Sequence, residues 1–147
     1  MATTVAARLR YLEDLEEIRT LLLAYGRTLD ERDLAGYSLL FAGDGEWQGG
    51  LGAAKTPAGI RAMLEKALGP VPSGKFQGAF HIMSNMLIAI EGDSATAWSR
   101  WTWFIPGSDG APQAARAGHY DDILIREAGR WRFKRRLAVT DLRAATL

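Results

Sequence analysis

Apolar residues fall at positions 9, 12, 15, 18, 22, 25 and 29, in steps of three and four that place them on one stripe of a helix. Glu13, Asp14, Glu16 and Glu17 lie early in this stretch and Arg27 lies late, the order a helix dipole favours. The stripe predicts a helix over 9–29. A polar corner follows, Asp30-Glu31-Arg32-Asp33, and a second helix is predicted over 34–41, closed by the turn cluster Ala42-Gly43-Asp44-Gly45. Glu46-Trp47-Gln48 reads as a short strand ahead of the glycine-rich segment 49–52. Thr56 and Pro57 then open a third helix, with threonine as N-cap and proline at the first helical position. It runs to about 68, where Gly69-Pro70 stops it.

After Pro72 the period changes from 3.6 to 2. Strands are predicted near 79–91, 94–106, 114–127 and 130–140, joined by Glu91-Gly92-Asp93, by a loop over 106–112, and by Ala128-Gly129. Connections this short make antiparallel neighbours. Helices first and a strand meander second describe an α+β fold, a curved antiparallel sheet with helices on one face. The 147 residues carry no repeat, low-complexity tract or linker, so 1–147 reads as one domain.

Composition narrows the chemistry. With 48% apolar residues there is material for a core and for a cavity inside it, since a chain of this length buries roughly 68–70% of its unfolded surface. Eighteen basic against seventeen acidic side chains leave a net charge of +1, which exerts no general pull toward nucleic acid or anionic lipid. Cysteine is absent, which removes thiolate nucleophiles, disulfides and cysteine-bound metals. The first ten residues lack a secretory apolar core, and the longest uncharged stretch, 76–90, is shorter than the ~20 residues of a membrane helix. A soluble cytoplasmic protein is expected.

Only two histidines exist, His81 and His119. Strand alternation groups His81 with Met83, Asn85 and Leu87, a mixed face suited to lining a cavity. Phe80, Ile82, Ser84, Met86 and Ile88 form the other face, expected to meet the helices or another packed layer. His81 is then either a cavity histidine or a core histidine satisfied by a carbonyl. His119 shares a face with Asp121, opposite Tyr120, Asp122 and Leu124; it either converges with His81 or lies on the surface, and the alternation does not choose. Asp30 ends the first helix, as a pocket acid or as a surface acid paired with Arg27 or Arg32. Tyr25 sits on the apolar stripe about 140° around the helix from Asp30, so both reach one pocket only if that pocket wraps the helix end or the helix deforms near Gly26.

Trp101 and Trp103 share one face of an aromatic strand with Ser99, while Trp98 shares the other with Arg100 and Thr102. They either fill a core or line a cavity for a flat ligand. Arg132, Lys134 and Arg136 alternate opposite Trp131, Phe133, Arg135 and Leu137, which reads as a solvated sheet face. No phosphate-binding lysine accompanies Gly49-Gly50-Leu51-Gly52, no metal-ligand spacing occurs, and no serine elbow is present.

Three stretches together resemble the SnoaL-like branch of the nuclear transport factor 2-like superfamily. They are Tyr25-Gly26-Arg27-Thr28-Leu29-Asp30-Glu31-Arg32-Asp33, Phe80-His81-Ile82-Met83-Ser84-Asn85, and Gly118-His119-Tyr120-Asp121-Asp122 leading into Gly129-Arg130-Trp131-Arg132-Phe133. The resemblance covers nearly the whole chain. It implies a cone-shaped α+β barrel, three helices wrapped on a strongly curved sheet around a deep pocket, and a homodimer or homotrimer formed through the open sheet. Among similar members are scytalone dehydratase, hexachlorocyclohexane dehydrochlorinase and bile acid 7α-dehydratase, in which a helix aspartate and a strand histidine act together. Asp30 and His81 match that pair. Tyr25 matches the tyrosine of the bile acid enzyme, and His119 a second histidine of scytalone dehydratase.

The implied activity is that of a cofactor-independent lyase, a dehydratase-like enzyme acting on a small hydrophobic, aromatic or polycyclic molecule. Its catalytic residues would be Asp30, His81, Tyr25 and His119. An isomerase or cyclase using the same pair, and a non-catalytic ligand-binding or partner subunit, are the competing readings, since one fold serves many functions.

Overall fold

A computed structural model describes residues 4–72 and 74–145. Helix α1 spans Val5–Asp30, begun by Thr4, whose hydroxyl accepts the Ala7 N–H at 3.1 Å. It starts four residues earlier than the stripe predicts. Leu9 and Leu12, the first stripe members, stay exposed, and the buried run begins at Asp14 and Ile18. Helix α2 is one short turn, Leu34–Ser38, capped by Asp33. Of its expected last residues, Leu39 and Leu40 form a turn and Phe41 opens strand β1, Phe41–Gly49. The glycines and Asp44 sit within β1, at an irregularity of its pairing between Phe41 and Glu46, and do not form a turn. Gly50 and Leu51 turn the chain into β2, Gly52–Lys55, and α3 runs Pro57–Leu68 with Thr56 accepting from Gly59 N.

A single 3-10 turn, Gly74–Phe76, precedes the meander: β3 Phe80–Glu91, β4 Ser94–Pro106, β5 Pro112–Glu127 and β6 Arg130–Arg143. Ala128 and Gly129 both have positive φ, 49° and 77°, the mirror-image turn that a two-residue hairpin connection requires. Strand order is β2-β1-β6-β5-β4-β3. The meander is antiparallel, as its short turns dictate, but β1 joins β6 in parallel. The sheet is therefore six-stranded, mixed and open, with the three helices packed against it. No helix among the described residues is long and apolar enough to cross a membrane.

The core lies between helices and sheet, where Ile18, Leu22, Tyr37, Ile60, Leu124 and Phe133 are fully buried. Gly118 in β5 is required there: a Cβ would stand 1.9 Å from Val139 O and 2.8 Å from the Trp101 indole.

Two irregularities overturn the expected strand faces. In β3, three residues from Ser84 to Leu87 advance against two of β4, and Asn85 takes φ 51° in the left-handed region. That bulge reverses the alternation. His81 and Met83 before it face inward, as do Met86, Ile88 and Ile90 after it, while Phe80 and Ile82 point to the outer face at 44% and 46% exposure. The apolar face of Phe80 and Ile82 does not meet the helices. In β6, Lys134 is an extra residue between the pairs Leu124–Phe133 and Ile123–Arg135. Arg136 thereby turns from the predicted solvated face into the core, where it is completely buried.

Candidate active site

Between the end of α1 and the concave face of the sheet lies a cavity of about 220 Å³. Asp30, the last residue of α1, and His81, the second of β3, both line it. Gly26 eases their approach: a Cβ there would sit 3.2 Å from Met83 Cγ and 3.9 Å from His81 Cβ, so a bare backbone lets the helix lie this close to β3 without pressing on the Met83 side chain. One turn later the carboxylate of Asp30 meets His81 twice. The His81 backbone N–H donates to Oδ2 at 2.8 Å, and Nδ1 stands 2.6 Å from Oδ1. The backbone bond fixes the carboxylate and the carboxylate fixes the ring. An ionised Asp30 favours the tautomer of a neutral ring in which Nδ1 carries the proton, which leaves the lone pair on Nε2. The two side chains are 16% and 18% exposed, screened from bulk water yet open to the cavity.

Aromatic rings form the walls. The His81 ring lies 6.1 Å from Trp101 and 6.2 Å from Trp103, nearly parallel to the latter. Deeper in, Tyr25 packs at 4.8 Å against Tyr37 and at 5.2 Å against Tyr120, and all three line the cavity. The Tyr25 hydroxyl accepts the Trp47 indole N–H at 2.9 Å, leaving its own proton to donate elsewhere. Tyr37 Oη is buried with no partner among the described residues. Burial, then the neighbouring Tyr25, pushes the Tyr37 and Tyr120 hydroxyls well above the ordinary tyrosine range, so both stay neutral donors.

Beneath the tyrosines lies an ion pair. Arg136 donates from Nε and Nη2 to the two oxygens of Asp122 at 2.7 and 2.6 Å, and both side chains are fully buried. Its guanidinium sits 4.0 Å from the ring centroids of Tyr25 and Tyr120 and 4.2 Å from that of Phe133. Burial opposes the Arg136 charge, but the adjacent Asp122 more than offsets it and holds the guanidinium above its usual range.

Of the four residues singled out in the sequence, Asp30, His81 and Tyr25 share the cavity. His119 does not. Its ring lies on the outer face, stacked on Trp98 at 5.9 Å, with Nδ1 2.8 Å from Asp141 Oδ2. The inner positions of β5 belong to its neighbours Tyr120 and Asp122. The sequence gives no site role to Tyr37, Tyr120, Asp122 or Arg136, and places Arg136 on a solvated face. One signal pointed to the last two: an acid between Tyr120 and Leu124 on an apolar strand face has to be paired with a cation. No group of three His, Asp or Glu side chains among the described residues is arranged to hold a metal ion.

A family model for the SnoaL-like domain matches residues 10–137. The chain belongs to the SnoaL-like family. Solved structures agree with this assignment. A nuclear transport factor 2-like protein with a cystatin-like fold from Novosphingobium aromaticivorans is 31% identical, with a TM-score of 0.80 over 96% of this SnoaL-like chain and 90% of the other. ActVI-ORFA from Streptomyces coelicolor is 30% identical at a TM-score of 0.72, covering 86% and 97% of the two chains. A candidate scytalone dehydratase from Novosphingobium aromaticivorans DSM 12444 shares the fold, at 22% identity and a TM-score of 0.75 over 93% and 90%. No curated protein matches the chain.

Proposed function

We propose that this SnoaL-like protein is a cofactor-independent lyase that eliminates water, or a comparable leaving group, from a small cyclic hydrophobic substrate. The observation that carries the reading is the doubled contact of Asp30 with His81 at the wall of a cavity lined with aromatic rings. In the proposed reaction His81 Nε2 takes the proton from the carbon next to a substrate carbonyl. Asp30 stabilises the imidazolium that forms, and the carbonyl oxygen gains negative charge. Tyrosine hydroxyls lining the cavity, Tyr25 foremost, donate to that oxygen. The electron pair then moves to form the carbon–carbon double bond as the β-hydroxyl leaves, and the imidazolium returns its proton to it, releasing water. His119, on the far side of the sheet, has no part in this reading.

The test uses bicyclic β-hydroxy ketones such as 3-hydroxy-1-tetralone, whose dehydration yields 1-naphthol and is followed by ultraviolet absorbance. A single acid–base group contributes ~10²–10⁴ in rate, so His81→Ala should lower turnover by at least about 10²-fold with the fold retained. Turnover within a few-fold of the parent protein would sink the mechanism. Solvent deuterium appearing at the ring carbon without loss of water would instead favour the isomerase reading, which shares the first step.

A further inference from the structure

The cavity has a charge imbalance that proton abstraction does not use. Among the described residues Asp30 is the one carboxylate lining it, and it is engaged by His81, whereas Arg32, Arg116 and Arg143 all line the same space. None of the three has an ion-pair partner among the described residues within the distance at which the other bridges form. Arg116 and Arg143 are directly opposite each other across β5 and β6, a like-charge pair that a sheet disfavours when nothing neutralises it. The guanidinium of Arg116 is also held over the Trp103 ring, 5.6 Å from its centroid, which aims it along the cavity wall. Arg32 lines the cavity from the turn that follows α1. It adopts φ 58°, a left-handed conformation costly for a residue with a Cβ, and its Nη1 donates to Leu29 O at 2.6 Å. The Nε atoms of Arg32 and Arg116 are buried without a hydrogen-bond partner among the described residues. A buried guanidinium N–H left unpaired is costly.

We infer that Arg32, Arg116 and Arg143 form an anion subsite. The substrate would then be a cyclic, largely apolar body bearing a carboxylate or phosphate group, with the anion on the arginines and the ring against Trp103 and His81. Planar guanidinium groups suit both anions, because each can bind two oxygens at once. The inference rests on the cavity being the substrate site described above, but its test reads binding alone, so the two can fail separately.

Isothermal titration calorimetry compares 2-naphthoate with 2-naphthamide, a neutral near-isostere, and 2-naphthyl phosphate with 2-naphthol. At low ionic strength at least one acid should bind about tenfold or more tighter than its neutral partner, and the tighter acid identifies the anion. That preference should shrink in 0.5 M salt. In the Arg116→Gln/Arg143→Gln double variant it should fall to within about threefold while the neutral probes keep their affinity. The salt series needs no variant, so a poorly folding double variant does not remove the test. Acids that bind no tighter than their neutral partners, or not at all at millimolar concentration, overturn the subsite. So does a preference that survives both salt and substitution. If His81→Ala keeps the preference while turnover of hydroxy ketones is never seen, the subsite stands and the lyase reading falls.

Discussion

Asp30 and His81, 51 residues apart in sequence, are joined by two hydrogen bonds, one to the backbone and one to the ring. The backbone bond to Oδ2 holds the carboxylate in place, so the ring contact does not depend on the ring alone. Replacing Asp30 by Asn keeps an acceptor for the His81 N–H but withdraws the charge that stabilises an imidazolium. We expect Asp30→Asn to fold normally by circular dichroism and to lose about 10²–10⁴-fold in kcat on the hydroxy ketone that the parent turns over.

Gly26 sets how close α1 comes to β3. Alanine is the better helix former by roughly 0.5–1 kcal/mol, but its methyl would press on Met83 at 3.2 Å. Methionine is flexible enough to yield. Gly26→Ala should therefore change stability by less than about 1 kcal/mol in urea titration. Its effect should appear in kcat, because a small outward shift of the helix separates Asp30 from His81.

Tyr37 offers a sharper division between stability and chemistry. Its hydroxyl is buried without a partner among the described residues, so removing it deletes an unpaired polar group. Tyr37→Phe should leave the melting temperature unchanged or raise it. A simultaneous drop in kcat would assign the hydroxyl to the substrate oxygen, and full activity would exclude it from that role.

The buried pair of Arg136 and Asp122 behaves oppositely. Arg136→Met strands a carboxylate in the core and should cost about 3–5 kcal/mol by chemical denaturation. Adding Asp122→Leu to that variant should recover most of the loss, since no unpaired charge then remains. A double variant as unstable as the single one would show that the pair's worth lies in packing under the tyrosines.

Asp14 predicts the acid limb of stability. Burial raises its carboxyl, but hydrogen bonds from Arg126 at 2.7 Å and Trp131 at 3.1 Å, with the Arg126 charge, bring it below the ordinary value. A depressed folded pKa means the contribution is complete above the unfolded value of 3.8 and disappears as pH falls through the lower folded one. Denaturation midpoints measured from pH 6 down to pH 2 should show this loss, and Asp14→Asn should be weaker at pH 6 with a shallower acid slope.

The sequence shows most clearly what regular periodicity can express. The helix stripe ending at Leu29, the Thr56-Pro57 start of α3 and the turn at Ala128-Gly129 all reappear, because local spacing and turn chemistry decide them. Side-chain direction was legible only as far as the first bulge. Counting in twos from His81 puts Phe80 and Ile88 on one face, whereas the extra residue at Asn85 sends them to opposite faces. The same arithmetic hid Arg136, since Lys134 resets β6. Asparagine tolerates the left-handed region and could have hinted at the first break; nothing about Lys134 marks the second. For His119 the faces of β5 were read correctly, but which one met the helices is fixed by long-range packing.

The Asn85 bulge also changes what kinds of sequence change β3 can absorb. Its inward residues before and after the kink are in different phases, and one extra backbone unit reconciles them. Excising one residue between 84 and 86 would remove that extra unit and leave an unbroken alternation, with Met86, Ile88 and Ile90 still on the face of His81 and Met83, whereas the same deletion later in β3 would rotate every residue after it by 180°. The kink is thus the one place in β3 where a lost residue leaves the inward face intact.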